Sequence, residues 1–233
     1  MMKYRALATD YDGTLAHDGV VSASTVAALD RFRASGRHLF MVTGRELPEL
    51  KQVCPVLDRF EFVVAENGAL LYRPADNTTR LLCEPASRSL VESLQRLNIR
   101  PLSVGRAIVA TVEPNEVIVI EEIKRLGLEL QVIFNKGSVM VLPTGVNKAT
   151  GMAALLKEAN LACEEVVGVG DAENDHAFLE CCGIGVAVAN ALPMLKERAD
   201  MVTSGARGDG VRELIDKMLA DDLAEAPPHP RVT

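Results

Sequence analysis

Two carboxylates stand two residues apart where an apolar run ends, in Ala6-Leu7-Ala8-Thr9-Asp10-Tyr11-Asp12-Gly13-Thr14-Leu15. Side chains alternate along a strand, so Asp10 and Asp12 are expected on one side as the chain leaves the sheet, and Gly13 lets the backbone turn away. Like charges so close repel, and an ionised pair needs a cation or hydrogen-bond donors beside it. Three further turns carry suitable groups: Thr43-Gly44-Arg45 after an apolar run, Lys148 at the head of a helical stretch, and Gly170-Asp171-Ala172-Glu173-Asn174-Asp175 after another apolar run. Singly, each has an ordinary explanation as an Asp-Gly turn, a capping threonine, a solvated helix lysine or acids favoured by a helix dipole. Together they hold the parts of phosphoryl transfer: a nucleophile, a proton donor, a hard cation and fixed donors for phosphate oxygens. Asp10 offers a carboxylate nucleophile, whose acyl phosphate splits one hard displacement into two easier ones. Asp12 offers a proton to the departing alcohol and afterwards a base for water. Asp171 adds an oxygen ligand of the kind Mg²⁺ takes beside waters and substrate oxygens. Thr43 and the Gly44 N–H could hold a phosphate oxygen while Lys148 shares its charge.

The bulk properties narrow the setting. A formal charge of -7 over 233 residues argues against a general nucleic-acid surface but not against a small phosphorylated metabolite held by a metal and one or two cations. The five cysteines are odd in number and lack C-x-x-C spacing, so reduced thiols are expected rather than a disulfide framework or zinc site. His17, His38, His176 and His229 are scattered and read as surface or loop histidines. The longest weakly polar run, residues 181–195, is too short and too rich in Gly, Asn and Pro to span a bilayer, so a cytoplasmic protein without membrane contact is expected, as monomer or homodimer. A calcium loop fails because His176 stands where glycine is needed; the glycines near 168–170 and 183–185 lack the third member of a dinucleotide fingerprint.

The elements that must position these groups alternate. Strands are expected at 6–9, 37–42 and 60–65, with helices after Ser22 and near 46–53. A hairpin of 69–72 with 80–83 follows, then a helix at 87–98, a strand at 107–112, a helix from Pro114 to Gly127, and strands 129–134 and 139–142 joined by Asn135-Lys136-Gly137. The α/β rhythm returns with a helix at 148–159, strands at 166–169, 184–188 and 201–202, a helix opened by Pro193, and a last helix that Gly210 precedes and that runs to about Leu219. This predicts an α/β protein with a parallel-sheet core at 1–83 and 144–220, interrupted by a small α/β lid at 84–143 and followed by a polar tail at 221–233. Arg106, Lys136 and the 135–137 turn are the polar lid features that could select substrate, although exposed lid charges ordinarily serve solvation.

The four turns resemble, in order, the four signature motifs of the haloacid dehalogenase-like (HAD) phosphatases. Ala65-Glu66-Asn67-Gly68-Ala69, the insertion between the second and third motifs, and Val186-Ala187-Val188-Ala189-Asn190-Ala191 further resemble the Cof-like branch with a C2-type (subclass B) cap, which includes archaeal-type phosphoglycolate phosphatases and sugar phosphatases. The resemblance spans the chain to about residue 219. It implies a Rossmann-like parallel-sheet HAD core with an inserted cap, and a Mg²⁺-dependent phosphatase that hydrolyses a small phosphomonoester, of phosphoglycolate or sugar phosphate type, through an aspartyl phosphate. It also implies roles: Asp10 as nucleophile, Asp12 as acid and base, Thr43 and Lys148 as phosphate holders, and Asp10, Asp171 and the Asp12 backbone carbonyl as Mg²⁺ ligands. Asp175 would hold a metal-bound water or orient Lys148, with Asn174 in support. Asn67 matches a position near the phosphate pocket and equally reads as an Asn-Gly turn; Arg45 would contact substrate or pair with an acid. His176 and Phe178 depart from the aliphatic residues common after the fourth motif, which bears on substrate scope. A phosphomutase or phosphotransferase with the same nucleophile stays open, as does a regulatory binding module that kept the fold, although the presence of both Asp10 and Asp12 speaks against the latter.

Overall fold

The computed structural model describes residues 2–224. Strands and helices alternate from the start: β1 (Ala6–Thr9), α1 (Ala23–Ala34), β2 (His38–Val42), α2 (Leu47–Val53) and β3 (Phe62–Ala65), then the hairpin β4 (Leu70–Arg73) and β5 (Thr78–Leu81). An inserted block follows, with α3 (Arg88–Arg96), β6 (Ser103–Val104), β7 (Val109–Val112), α4 (Glu116–Arg125), β8 (Leu130–Asn135) and β9 (Ser138–Pro143). The alternation resumes through α5 (Lys148–Ala159), β10 (Val166–Gly170), α6 (His176–Cys181), β11 (Ile184–Ala187), α7 (Pro193–Arg198), β12 (Met201–Val202) and α8 (Arg207–Asp221).

The apolar runs become a sheet covered on both faces: every residue of β1, β3, β10 and β11 is buried. Its eight strands are ordered β12-β11-β10-β1-β2-β3-β4-β5, parallel except for the antiparallel β4 and β5 at one edge. The fold is the expected α/β class with a Rossmann-like core. Because β1 lies between β2 and β10, the chain crosses to one side and then the other, and the carboxyl ends of these three strands meet at a switch point. Asp10, Thr43 and Asp171 are the residues that follow them.

The inserted block forms an antiparallel four-stranded sheet, β6-β7-β9-β8. Leu90, Leu94, Val119 and Ile123 of α3 and α4 pack on Val109 and Val141 from one face of it. Alternation sends Ala110, Met140 and Leu142 to the other face, toward the larger sheet, where Met140 and Leu142 join Ala69, Ala107 and Ile108.

Several boundaries differ from the expectation. β5 begins at Thr78 rather than residue 80, because Asp76 accepts from the Thr78 N–H and hydroxyl at 3.1 and 2.6 Å and ends the turn there. β7 begins at Val109 rather than residue 107, since the backbone N–H groups just before it bond to Glu66 instead of a neighbouring strand. The exposed two-residue edge strand β6 was not expected. The last helix starts at Arg207, with Gly210 in its first turn: a Cβ there would come 2.5 Å from the Gly205 carbonyl. It ends at Asp221, so it takes in the first residue of the expected tail, whose residues 225–233 lie outside those described. Among the described residues no helix is long and apolar enough to cross a membrane. All five cysteines are free thiols.

Helix α5 delivers Lys148, and two glycines let it approach. Asn147 caps it, accepting from the Thr150 N–H at 3.1 Å. Gly68, at φ +109°, leaves no room for a side chain, since a Cβ would lie 1.9 Å from the Asn147 carbonyl oxygen. A Cβ on Gly151 would fall 2.5 Å from Val64 Cγ1 and 2.6 Å from Gly68 Cα. In an open helix, Gly→Ala stabilises by about 1 kcal/mol. Here overpacking reverses the sign, and Gly151→Ala is expected to destabilise by about 1–3 kcal/mol, read as a lower midpoint in urea denaturation.

Candidate active site

Asp10 leaves β1 with its N–H on the Val169 carbonyl at 2.9 Å, which fixes it between β1 and β10. Its Oδ1 accepts from Lys148 Nζ at 2.6 Å, and the same ammonium reaches Asp175 Oδ1 at 2.5 Å. All three side chains are almost fully buried. The second oxygen of Asp175 accepts the N–H groups of Asp171 and Ala172 at 2.8 and 3.0 Å, so both its oxygens are engaged. Gly170 makes this turn possible, because a Cβ there would lie 2.6 Å from the Asp175 carboxyl carbon.

Asp171, fully buried, is held from several sides. Thr14 Oγ1 donates to its Oδ1 at 3.2 Å; Asn190 Nδ2 reaches its Oδ2 at 3.3 Å and the Gly13 carbonyl at 2.8 Å. Lys136, from the β8–β9 turn of the inserted block, forms an ion pair with the same Oδ2. One oxygen each from Asp10, Asp171 and Asp175 lies within 4.8 Å of the others, a buried all-oxygen set of the sort a hard divalent cation takes. Burial pushes the Asp10 carboxyl up to about 8; Lys148 pulls it down, while the charges of Asp175 and Asp171 add to the rise. Burial also raises Asp171, against the pull of Lys136. For Lys148, burial disfavours the charge, but Asp10 and Asp175 outweigh it and hold the ammonium above the ordinary lysine range. The cluster is crowded with negative charge, and a cation would relieve it.

On the other side of Asp10 lie Thr43, Gly44, Asn67 and Asn174. The buried Thr43 hydroxyl oxygen accepts from the Arg45 N–H at 3.1 Å, and the Thr43 carbonyl takes the Asn67 N–H at 3.0 Å. Asn67, left-handed at φ 53°, receives Asn174 Nδ2 on its Oδ1 at 2.9 Å. Asn67 Nδ2 and Asn174 Oδ1 stay buried without a partner. A Cβ on Gly44 would lie 3.5 Å from both Asn174 Nδ2 and Met140 Sδ, so these groups and the inserted sheet converge at one spot.

Asp12 is placed differently. Its carboxylate is partly exposed and pairs bidentately with Arg45, at 2.6 and 2.8 Å, outside the buried acid cluster. Of the two partners considered for Arg45, the structure shows the acids, Asp12 and also Glu49. Of the lid features singled out, Arg106 bonds Thr79 at 2.9 Å, away from the cluster, while Lys136 enters it. Sequence reasoning missed the parts played by Thr14, Asn190 and Glu66, although all three lie in segments whose pattern stood out. The fully buried Glu66 carboxylate accepts the N–H groups of Arg106, Ala107 and Ile108 at 3.0, 2.8 and 3.1 Å and so ties the inserted block to the larger sheet.

The chain is similar to known proteins. The profile of the haloacid dehalogenase-like hydrolases matches residues 7–101 and 102–215. Phosphoglycolate phosphatase 2 of Saccharolobus solfataricus is 32% identical over 229 residues, covering 94% of each chain. The phosphoglycolate phosphatase of Methanothermobacter thermautotrophicus is 30% identical, over 92% of this chain and 99% of its own. A haloacid dehalogenase-like hydrolase of Bacteroides thetaiotaomicron, 22% identical, superposes with a TM-score of 0.77 over 93% of this chain and 100% of that one, a likeness of fold.

The tie at Glu66 can be tested. In Glu66→Gln one acceptor oxygen becomes a donor facing N–H groups, a loss of about 1–3 kcal/mol. Hydrogen exchange at residues 106–108 is expected to accelerate, while amides in the strands of the larger sheet keep their protection.

Proposed function

The chain belongs to the haloacid dehalogenase-like hydrolases and is a phosphatase, and from that premise we propose that it hydrolyses a small phosphomonoester, of phosphoglycolate or sugar phosphate type, through a phosphorylated Asp10 with Mg²⁺ as cofactor. The observation that carries the reading is the buried Lys148 ammonium shared by Asp10 and Asp175 beside Asp171, at the carboxyl edge of a parallel sheet. The names of the two relatives support the phosphoglycolate type.

In the proposed reaction an Asp10 carboxylate oxygen attacks phosphorus, the ester P–O bond breaks, and Asp12 gives its proton to the departing alcohol. A water then attacks the acyl phosphate and yields its proton to Asp12; the bond to Asp10 breaks and inorganic phosphate leaves. Lys148 keeps Asp10 aimed and offsets negative charge on the phosphoryl group. Thr43, the Gly44 N–H and the unpartnered Asn67 amide hold phosphate oxygens, with Asn174 fixing Asn67. Asp175, with both oxygens engaged, orients Lys148 and the turn carrying Asp171. Arg45 grips both oxygens of Asp12 at rest, so proton transfer requires that carboxyl to turn from Arg45 toward the ester. Asp10 and Asp171, with the Asp12 backbone carbonyl, would hold Mg²⁺, and the buried carboxylates, raised first by desolvation and further by one another's charge, fit a hard dication. When bound, the ion supplies charge neutralisation of the phosphoryl oxygens. Residues 84–143 serve as a cap over the core formed by 1–83 and 144–220.

Two measurements test this. Asp10→Asn keeps the shape but removes the nucleophile, and phosphate release from small phosphomonoesters is expected to fall by more than about 10³-fold, with wild-type turnover lost in chelator. Mg²⁺ binding needs the ionised form of Asp10, whose carboxyl stands near 8 without the ion, so binding releases a proton at neutral pH. Affinity measured by calorimetry is expected to climb with pH and level off above about 8, with a binding heat that depends on the buffer's ionisation enthalpy.

A further inference from the structure

The β8–β9 hairpin closes with a two-residue turn, Lys136-Gly137, in which both residues adopt left-handed backbone at φ 48° and 82°. Its face toward the core carries Ile133, Met140 and Leu142, continued by Ala110 of β7, with Gln131, Asn135 and Ser138 on the same face by alternation. At the end of that face the turn lowers Lys136 into the site: its backbone N–H reaches Glu173 at 3.3 Å and its ammonium pairs with Asp171. The ammonium also lies 2.9 Å from the point a Gly13 Cβ would occupy, which puts it over the Asp12–Gly13 turn. Asp171 is fully buried, whereas the Lys136 side chain is 41% exposed, so the lysine stands at the mouth of the site and is free to change partner. A part-exposed ammonium between that roof and the proposed phosphate pocket suits an ester whose leaving part is short and carries its own negative charge.

We propose that Lys136 is a specificity-determining residue: it exchanges Asp171 for a carboxylate on the leaving part of the substrate and thereby selects short acidic phosphomonoesters over neutral ones of equal size. The inference rests on the phosphatase reading of the Asp10 site given above and narrows its substrate class.

The test compares 2-phosphoglycolate with 2-hydroxyethyl phosphate, which has the same length and no carboxylate, in wild type, Lys136→Met and Lys136→Arg. The expected result is a wild-type preference for the acid that falls about 10- to 100-fold in Lys136→Met, chiefly through KM, and is largely restored in Lys136→Arg. A preference ratio unchanged in Lys136→Met overturns the assignment while leaving the phosphatase reading intact; wild type silent on every ester overturns both. Binding of 3-phosphonopropionate against 3-hydroxypropylphosphonate, followed by calorimetry, reads the same ratio where a variant is too slow to assay. Equal loss of both phosphonates in Lys136→Met likewise overturns it, since the lysine would then serve the phosphate end alone.

Discussion

A buried ammonium holds this structure's chemistry together. Three carboxylates cannot be drawn out of water at the end of a sheet without a compensating charge, because desolvation and mutual repulsion both disfavour their ionised forms. Lys148 supplies that charge from inside the fold, and removing one member of such a buried set typically costs about 3–5 kcal/mol. The surrounding architecture follows from the need to bring it there. The strand order places Asp10 and Asp171 side by side. Helix α5 must then begin flush against the turn after β3, and Gly68 and Gly151 are the residues that let two backbones come that close.

Acidic groups near the site are divided between different cations. Asp10 and Asp175 share Lys148, which is buried and fixed by two acceptors; Asp12 has Arg45, which is partly exposed and anchored on its far side by Glu49; Asp171 has Lys136. The division matches the work proposed for each. A nucleophile gains from being aimed and immobile, and the enclosed lysine does that. A group that must give up and recover a proton needs room to turn and access to water, and the rim position of Asp12 provides both. A low-dielectric setting strengthens the first pair, while solvent weakens the second enough to be exchanged.

Much of this was legible in the chain because parallel sheets leave strong marks. Apolar runs that end in Asp10, Thr43 or Asp171 read as buried strands with their carboxyl ends together, and Lys148 stands at the head of a helical stretch. What the chain concealed was set by side chains meeting across space. Nothing local to Asp12 or Arg45 says that they pair, since residues far apart in sequence become neighbours only when β1 and β2 align. Thr14 and Asn190 lie inside segments that drew attention as patterns, yet their reason, a shared grip on Asp171 and the Gly13 carbonyl, exists only in three dimensions. The strand boundaries shifted for the same cause: Asp76 and Glu66 drew backbone N–H groups to themselves and moved the starts of β5 and β7.

Glu66 joins the two parts of the molecule at the point where position matters most. Its carboxylate gathers three successive N–H groups of the inserted block, while the next residue, Asn67, faces Asn174. Both Glu66 and Asn67 adopt left-handed backbone, so the turn has little freedom to change one without the other. The inserted sheet is therefore fastened within one residue of a proposed phosphate contact, and its far end reaches the same pocket through Lys136. The block thus spans the site from Glu66, at the proposed phosphate end, to Lys136, which meets Asp171. In the proposed reaction this separates the group that would choose among esters, Lys136, from the residues that would act on phosphorus.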